Sequence, residues 1–102
     1  MSRIDPLKAL IAQDPANSRY RFMLAMEYRN AGDAASAVAT LEELAGVDPN
    51  YVSAYFQAGQ ICEEAGEPDR ARSFYQAGVE CARRIGDTHA LGEIQGALDL
   101  LG

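Results

Sequence analysis

His89 is the single histidine of the chain, and Glu42-Glu43 and Glu63-Glu64 are its only adjacent acid pairs. These are the residue types of proton-transfer chemistry: a histidine titrates near neutrality, and paired carboxylates can divide acid and base roles. Their placement argues against it. A general base needs a nucleophile and an orienting partner within hydrogen-bond reach. Asp87 is close to His89 in sequence, but no serine or cysteine is convincingly placed beside it. Neighbouring residues on a helix point about 100° apart, so each glutamate pair marks a solvated face. Cys62 and Cys81 fall at apolar-periodic positions on successive helices, which predicts buried free thiols. Two thiols and one histidine are too few for a structural zinc site. The glycines end helices or lie within them, so no phosphate-binding loop is present. The expectation is a protein with no catalytic step, no metal and no cofactor.

The elements that carry these residues follow from a repeat. Asp14-Pro15 recurs as Asp48-Pro49, 34 residues on, and Ala31-Gly32 recurs as Ala65-Gly66. Leu7, Leu10, Phe22 and Ala37 recur as Leu41, Leu44, Phe56 and Ala71. A fixed period of this length marks stacked helical hairpins, in which each unit buries its apolar face against the next. Sustained apolar–polar alternation is absent, so strands are not expected.

Asp5 is expected to cap a first short helix, with Pro6 at its first position and Leu7, Leu10 and Ile11 as its stripe. Ser18 is the expected cap of a second helix over about 18 to 31, which Gly32 ends. A third runs over about 34 to 46. A fourth starts near Tyr51 and stops at Gly66. A fifth opens with Pro68 and Asp69 and ends at Gly86. The last, about 88 to 101, carries Leu91, Ile94, Leu98 and Leu101. Matching it to Arg21, Leu24 and Tyr28 needs a two-residue insertion, which suits an atypical terminal cap on a short array. The domain plan is a leading half-repeat (1–17), two repeats (18–51 and 52–85) and a capping helix (86–102). The expected fold is an all-α solenoid, a right-handed superhelical stack of about six helices.

The chain has 102 residues, is 48% hydrophobic and 24% charged, and carries a net charge of −6. One folded domain is expected. The acidic balance disfavours nucleic acid and anionic membranes, which need a basic footprint. No apolar run approaches the roughly 20 residues that span a bilayer. The N-terminus lacks the apolar core of a secretory signal, so a cytoplasmic location is expected.

The residues from Ser18 to Cys81 closely resemble tetratricopeptide repeats (TPRs). The second unit reads Ala54-Tyr55-Phe56-Gln57-Ala58-Gly59, then Ala65-Gly66-Glu67-Pro68-Asp69-Arg70-Ala71, then Phe74-Tyr75-Gln76-Ala77-Gly78. The first matches through Leu24-Ala25, Tyr28, Ala31-Gly32-Asp33, Ala37, Leu41 and Asp48-Pro49, and departs at Arg21, where the family has a bulky aromatic. Gly59 and Ala71 are expected to let paired helices approach closely, with Tyr55 and Tyr75 filling the gaps between units. The 34-residue period and the turn residues argue against other solenoids of helical hairpins.

The resemblance implies binding of a peptide or helix of another protein in a concave groove. The implied groove columns are Arg19, Phe22, Met26, Arg29 and Asn30 on the first unit, and Ser53, Phe56, Gln60, Glu63 and Glu64 on the second. Phe22 and Phe56 are expected side by side as an apolar floor with Met26, and Arg19 and Arg29 as contacts for a partner's carboxylate. The alternative is that the phenylalanines close a small core. Gly92 and Gly96 either leave one groove wall bare or allow close helix packing. The family's clamp for a C-terminal carboxylate needs lysine and asparagine four residues apart; Phe22 and Met26 occupy those columns. Two other uses remain open: homodimerisation through exposed repeat ends, and a secretion-type chaperone.

Overall fold

The computed structural model describes residues 2–102, and every regular element among them is a helix. The six are α1 (Ile4–Gln13), α2 (Ser18–Asn30), α3 (Ala34–Val47), α4 (Val52–Glu64), α5 (Pro68–Ile85) and α6 (Thr88–Leu101). Each packs chiefly on its neighbours in sequence. The pairs α2–α3 and α4–α5 are hairpins, flanked by α1 and α6, and the stack measures 39 × 29 × 18 Å. The starts of α2 and α4 are 34 residues apart, whereas α4 and α6 start 36 apart. The two-residue slip arises because α5 runs 18 residues where its counterpart α3 runs 14, while the link that follows is two residues shorter.

The backbone of the turns repeats. Gly32, Gly66 and Gly86 have φ of 79°, 77° and 73°, a left-handed backbone that only glycine adopts freely. At each, the next residue's N–H reaches back to the last turn of the helix: Asp33 to Tyr28 O, Glu67 to Cys62 O and Asp87 to Ala82 O, all at 2.9 Å. Asp33 and Asp87 then cap the following helix, accepting from Ser36 and Ala90 N–H. Two expected caps are corrected. Asn17, not Ser18, caps α2 by accepting from Tyr20 N–H; the Ser18 hydroxyl donates to Asp48 at 2.9 Å. Asp5 lies within α1, whose cap position is Arg3, and the Ile4 N–H is satisfied by the Ser2 hydroxyl. Pro6 is thus the third helical residue, still within the turn whose N–H groups have no helical partner.

The core runs continuously from Ala25 on α2 to Ile94 on α6. Gly59 marks its tightest crossing. A Cβ there would sit 2.3 Å from the ring of Tyr75, which is fully buried. Tyr75 therefore fills the gap within the α4–α5 hairpin, not the gap between units expected of it. At the next crossing, a Cβ on Gly78 would lie 3.1 Å from both Ile94 and Tyr55. Both cysteines are buried and free.

Arg21 shows how a departure from the repeat is accommodated. Its side chain is almost fully buried, and its guanidinium donates to Pro15 O and to Glu43. The equivalent Tyr55 donates its hydroxyl to Pro49 O at 3.0 Å. Both residues satisfy the same repeat-equivalent carbonyl, and the aliphatic stem of Arg21 replaces part of the aromatic ring. Arg21→Tyr should therefore keep stability within about 1 kcal/mol, while Arg21→Ala should cost about 2 kcal/mol by orphaning that carbonyl and emptying the site. Urea unfolding of the two variants checks this.

Candidate functional site

The residues expected to form the groove columns lie on α2 and α4. Phe22, Met26 and Phe56 are half-buried and pack against the core with one side. The ring pairs that form are Phe22 with Tyr51, centroids 5.5 Å apart, and Phe56 with Tyr75, 6.1 Å apart. Each phenylalanine is thus braced by a tyrosine, and the side-by-side pairing expected of Phe22 and Phe56 is not among the ring pairs that form. A Cβ on Gly92 or Gly96 would meet no atom within 4 Å, so these glycines face open space and do not serve close packing.

Two hollows follow the seam between α4 and α6. A small one, about 40 Å³, is lined by Val52, Ser53, Phe56, Ala90, Glu93 and Ile94. A larger one, about 330 Å³, is lined by Arg29, Gln60, Glu63, Glu64, Tyr75, Ala97 and Leu100. Arg19 and Asn30 are exposed and, like Phe22 and Met26, line neither.

Arg29 does not stand ready for a partner. It spans from α2 to α4, donating to Gln57 Oε1 and to Glu64 Oε1, the latter at 2.9 Å. Glu63 accepts from the Tyr75 hydroxyl at 2.6 Å. Burial, and then that bond to a carboxylate, push the Tyr75 pKa well above its ordinary value, so the phenol stays neutral and donating. A side chain that fills the core thereby also orients a groove carboxylate.

His89 is exposed and faces Glu93, with Nε2 3.3 Å from a carboxylate oxygen. Burial raises the pKa of the Cys62 and Cys81 thiols, which keeps them protonated. The Cys81 thiol donates to Pro49 O.

Sequence reasoning missed Tyr51, Glu93, Ala97 and Leu100. Leu100 was within reach: with the two-residue insertion it occupies the column of Asn30 and Glu64. Tyr51 and Glu93 lie outside the five columns of each groove helix, and only the packing of neighbouring helices brings them in.

A family profile described as a tetratricopeptide repeat matches residues 22–87, more than half of the chain. A TPR repeat-containing protein of Pseudomonas aeruginosa is 31% identical over 91 residues, covering 89% of this chain and 87% of that protein. A tetratricopeptide repeat domain protein from Salinibacter ruber superposes with a TM-score of 0.80 at 35% identity, over 86% of this chain and 89% of that one. The type III secretion chaperone SycD of Yersinia enterocolitica, solved with a peptide of the translocator YopD, superposes with a TM-score of 0.82 over 93% of this chain and 73% of its own. At 20% identity that likeness is one of fold. Among the described residues no helix is long and apolar enough to cross a membrane. The repeat period, the glycine turns, the six-helix stack and these matches agree: the chain belongs to the tetratricopeptide repeat family.

Proposed function

We propose that this chain is a non-enzymatic protein-binding module, an adaptor or assembly factor, that holds a peptide or helix of a partner in the groove of α2, α4 and α6. The observation that carries it is a set of apolar side chains, Phe22, Met26 and Phe56, that pack on the core yet stay half-buried, with Gly92 and Gly96 on α6 bare of neighbours. Apolar groups that pack on a core with one side and leave the other free suit a docking surface whose shape is set in advance. The complex of SycD with a YopD peptide supports the reading, because there a stack of the same fold takes a peptide of another protein. With Phe22 and Met26 at its columns, the groove does not hold its ligand by a carboxylate clamp.

Repeat completion by a second copy is disfavoured at both ends. Gln95 on α6 stands at the crossing position that is Ala25 on α2 and Gly59 on α4. Arg3 stands where α3 and α5 have Ala37 and Ala71, and it is paired with Glu27. A helix stacking in register would have to displace these long polar side chains.

Phe22→Ala and Phe56→Ala are each expected to weaken partner binding about a hundredfold, or about 2.7 kcal/mol. The partner for this measurement is the protein that co-purifies with the chain from native extract. Thermal melts by circular dichroism should show a smaller loss, about 1–2 kcal/mol, because each ring is only half-buried. If the variants unfold while their residual folded fraction binds normally, the rings serve the core and the groove assignment is wrong.

A further inference from the structure

The groove is electrostatically lopsided. On α2 it presents Arg19, which is exposed and forms no ion pair among the described residues. Along the seam of α4 and α6 it presents Glu63, Glu64 and Glu93. Arg29 pairs with Glu64, but Glu63 accepts only from the neutral Tyr75 hydroxyl, and Glu93 faces only His89. The opposite wall of the larger hollow is apolar: Ala97, and Leu100 with 91% of its surface exposed. The hollow thus sets a fixed carboxylate across from an uncovered leucine, with room for a side chain between them.

We infer that the occupant of this seam is a polypeptide segment carrying a lysine or arginine next to an apolar side chain, the cation against Glu63 and the apolar group on Ala97 and Leu100. This rests on the groove reading above and adds the chemistry of the partner to it. The net charge of −6 attracts the same kind of segment at longer range. Phe56 offers the second contact. It lies seven residues before Glu63 on α4, about 10 Å along the helix, which an extended segment spans in about three residues. The pattern recognised is therefore an apolar side chain on Phe56 and, about three residues away, the basic–apolar pair.

The test is selection of a displayed random-peptide library on the immobilised full chain, with Glu63→Gln, Glu80→Gln and Phe56→Ala run alongside. Glutamine keeps an acceptor for Tyr75, and Glu80 is exposed on α5, away from the groove, so it controls for net charge. Circular dichroism confirms that the variants are folded. Wild type is expected to enrich peptides with a basic residue beside an apolar one. Glu63→Gln should reduce their retention about five- to tenfold at low salt, and Glu80→Gln less than about twofold. Enrichment of acidic or charge-indifferent peptides that still depend on Phe56 overturns the charge inference and leaves the groove reading standing. Peptides indifferent to Phe56→Ala, or no retained peptides at all, overturn both.

Discussion

Gly59→Ala is expected to lower the unfolding free energy by about 3 kcal/mol and the melting temperature by about 15 °C. The added methyl would lie 2.3, 2.5 and 2.9 Å from three ring carbons of Tyr75. That ring is fully buried and braced by Phe56, so it can give way only by moving packed neighbours. On an open helix the same substitution would stabilise by about 1 kcal/mol, so the sign of the effect is itself informative. A thermal melt followed by circular dichroism is sufficient. A loss below about 1 kcal/mol would show that α4 and α5 separate easily, and the close crossing would not be a determinant of the fold.

Tyr75→Ala should cost more, about 4 kcal/mol, by leaving a ring-sized void at the centre of the hairpin. The two substitutions should not add. With the ring gone, the methyl at position 59 meets empty space, so Gly59→Ala in that background should be neutral or stabilising. Tyr75→Phe separates packing from the hydroxyl. It keeps the ring, loses the bond to Glu63 and should cost about 1 kcal/mol. It should also alter the alkaline limit. An unfolded tyrosine ionises near pH 10, whereas the folded Tyr75 holds its proton more tightly. Above pH 10 the unfolded state therefore binds fewer protons, and stability falls as pH rises. In Tyr75→Phe that part of the alkaline decline should vanish, and urea titrations at pH 9 and pH 11 measure it. An unchanged decline would mean that another group sets the alkaline limit.

Much of the fold was legible because repeats write it twice. Gly32 and Gly66 read as helix stops, and their left-handed backbones follow from chemistry that is local to the turn. The caps were harder. Asn17 and Ser18 are both good cap residues and adjacent in sequence, and a contact from the distant Asp48 accompanies the use of Ser18 elsewhere. The same limit applies to the groove. Phe56, Gln60 and Glu63 were legible as columns of one helix face, since helical spacing alone puts them there. Arg29 looked equally available, yet its partners Gln57 and Glu64 lie on another helix. Column position gives direction, and only the neighbouring helix decides whether a charge is free.

The sequence by itself determined the family, the number of helices, the positions of their glycine stops and the two-residue slip before α6. Each of these is set by period and by residues acting within one turn. The tertiary structure alone decided which side chains remain available: that Arg29 is consumed, that Arg21 replaces a tyrosine on the same kind of carbonyl, and that Gly92 and Gly96 face open space. Those outcomes depend on distances between segments far apart in the chain, and a repeat pattern does not encode them.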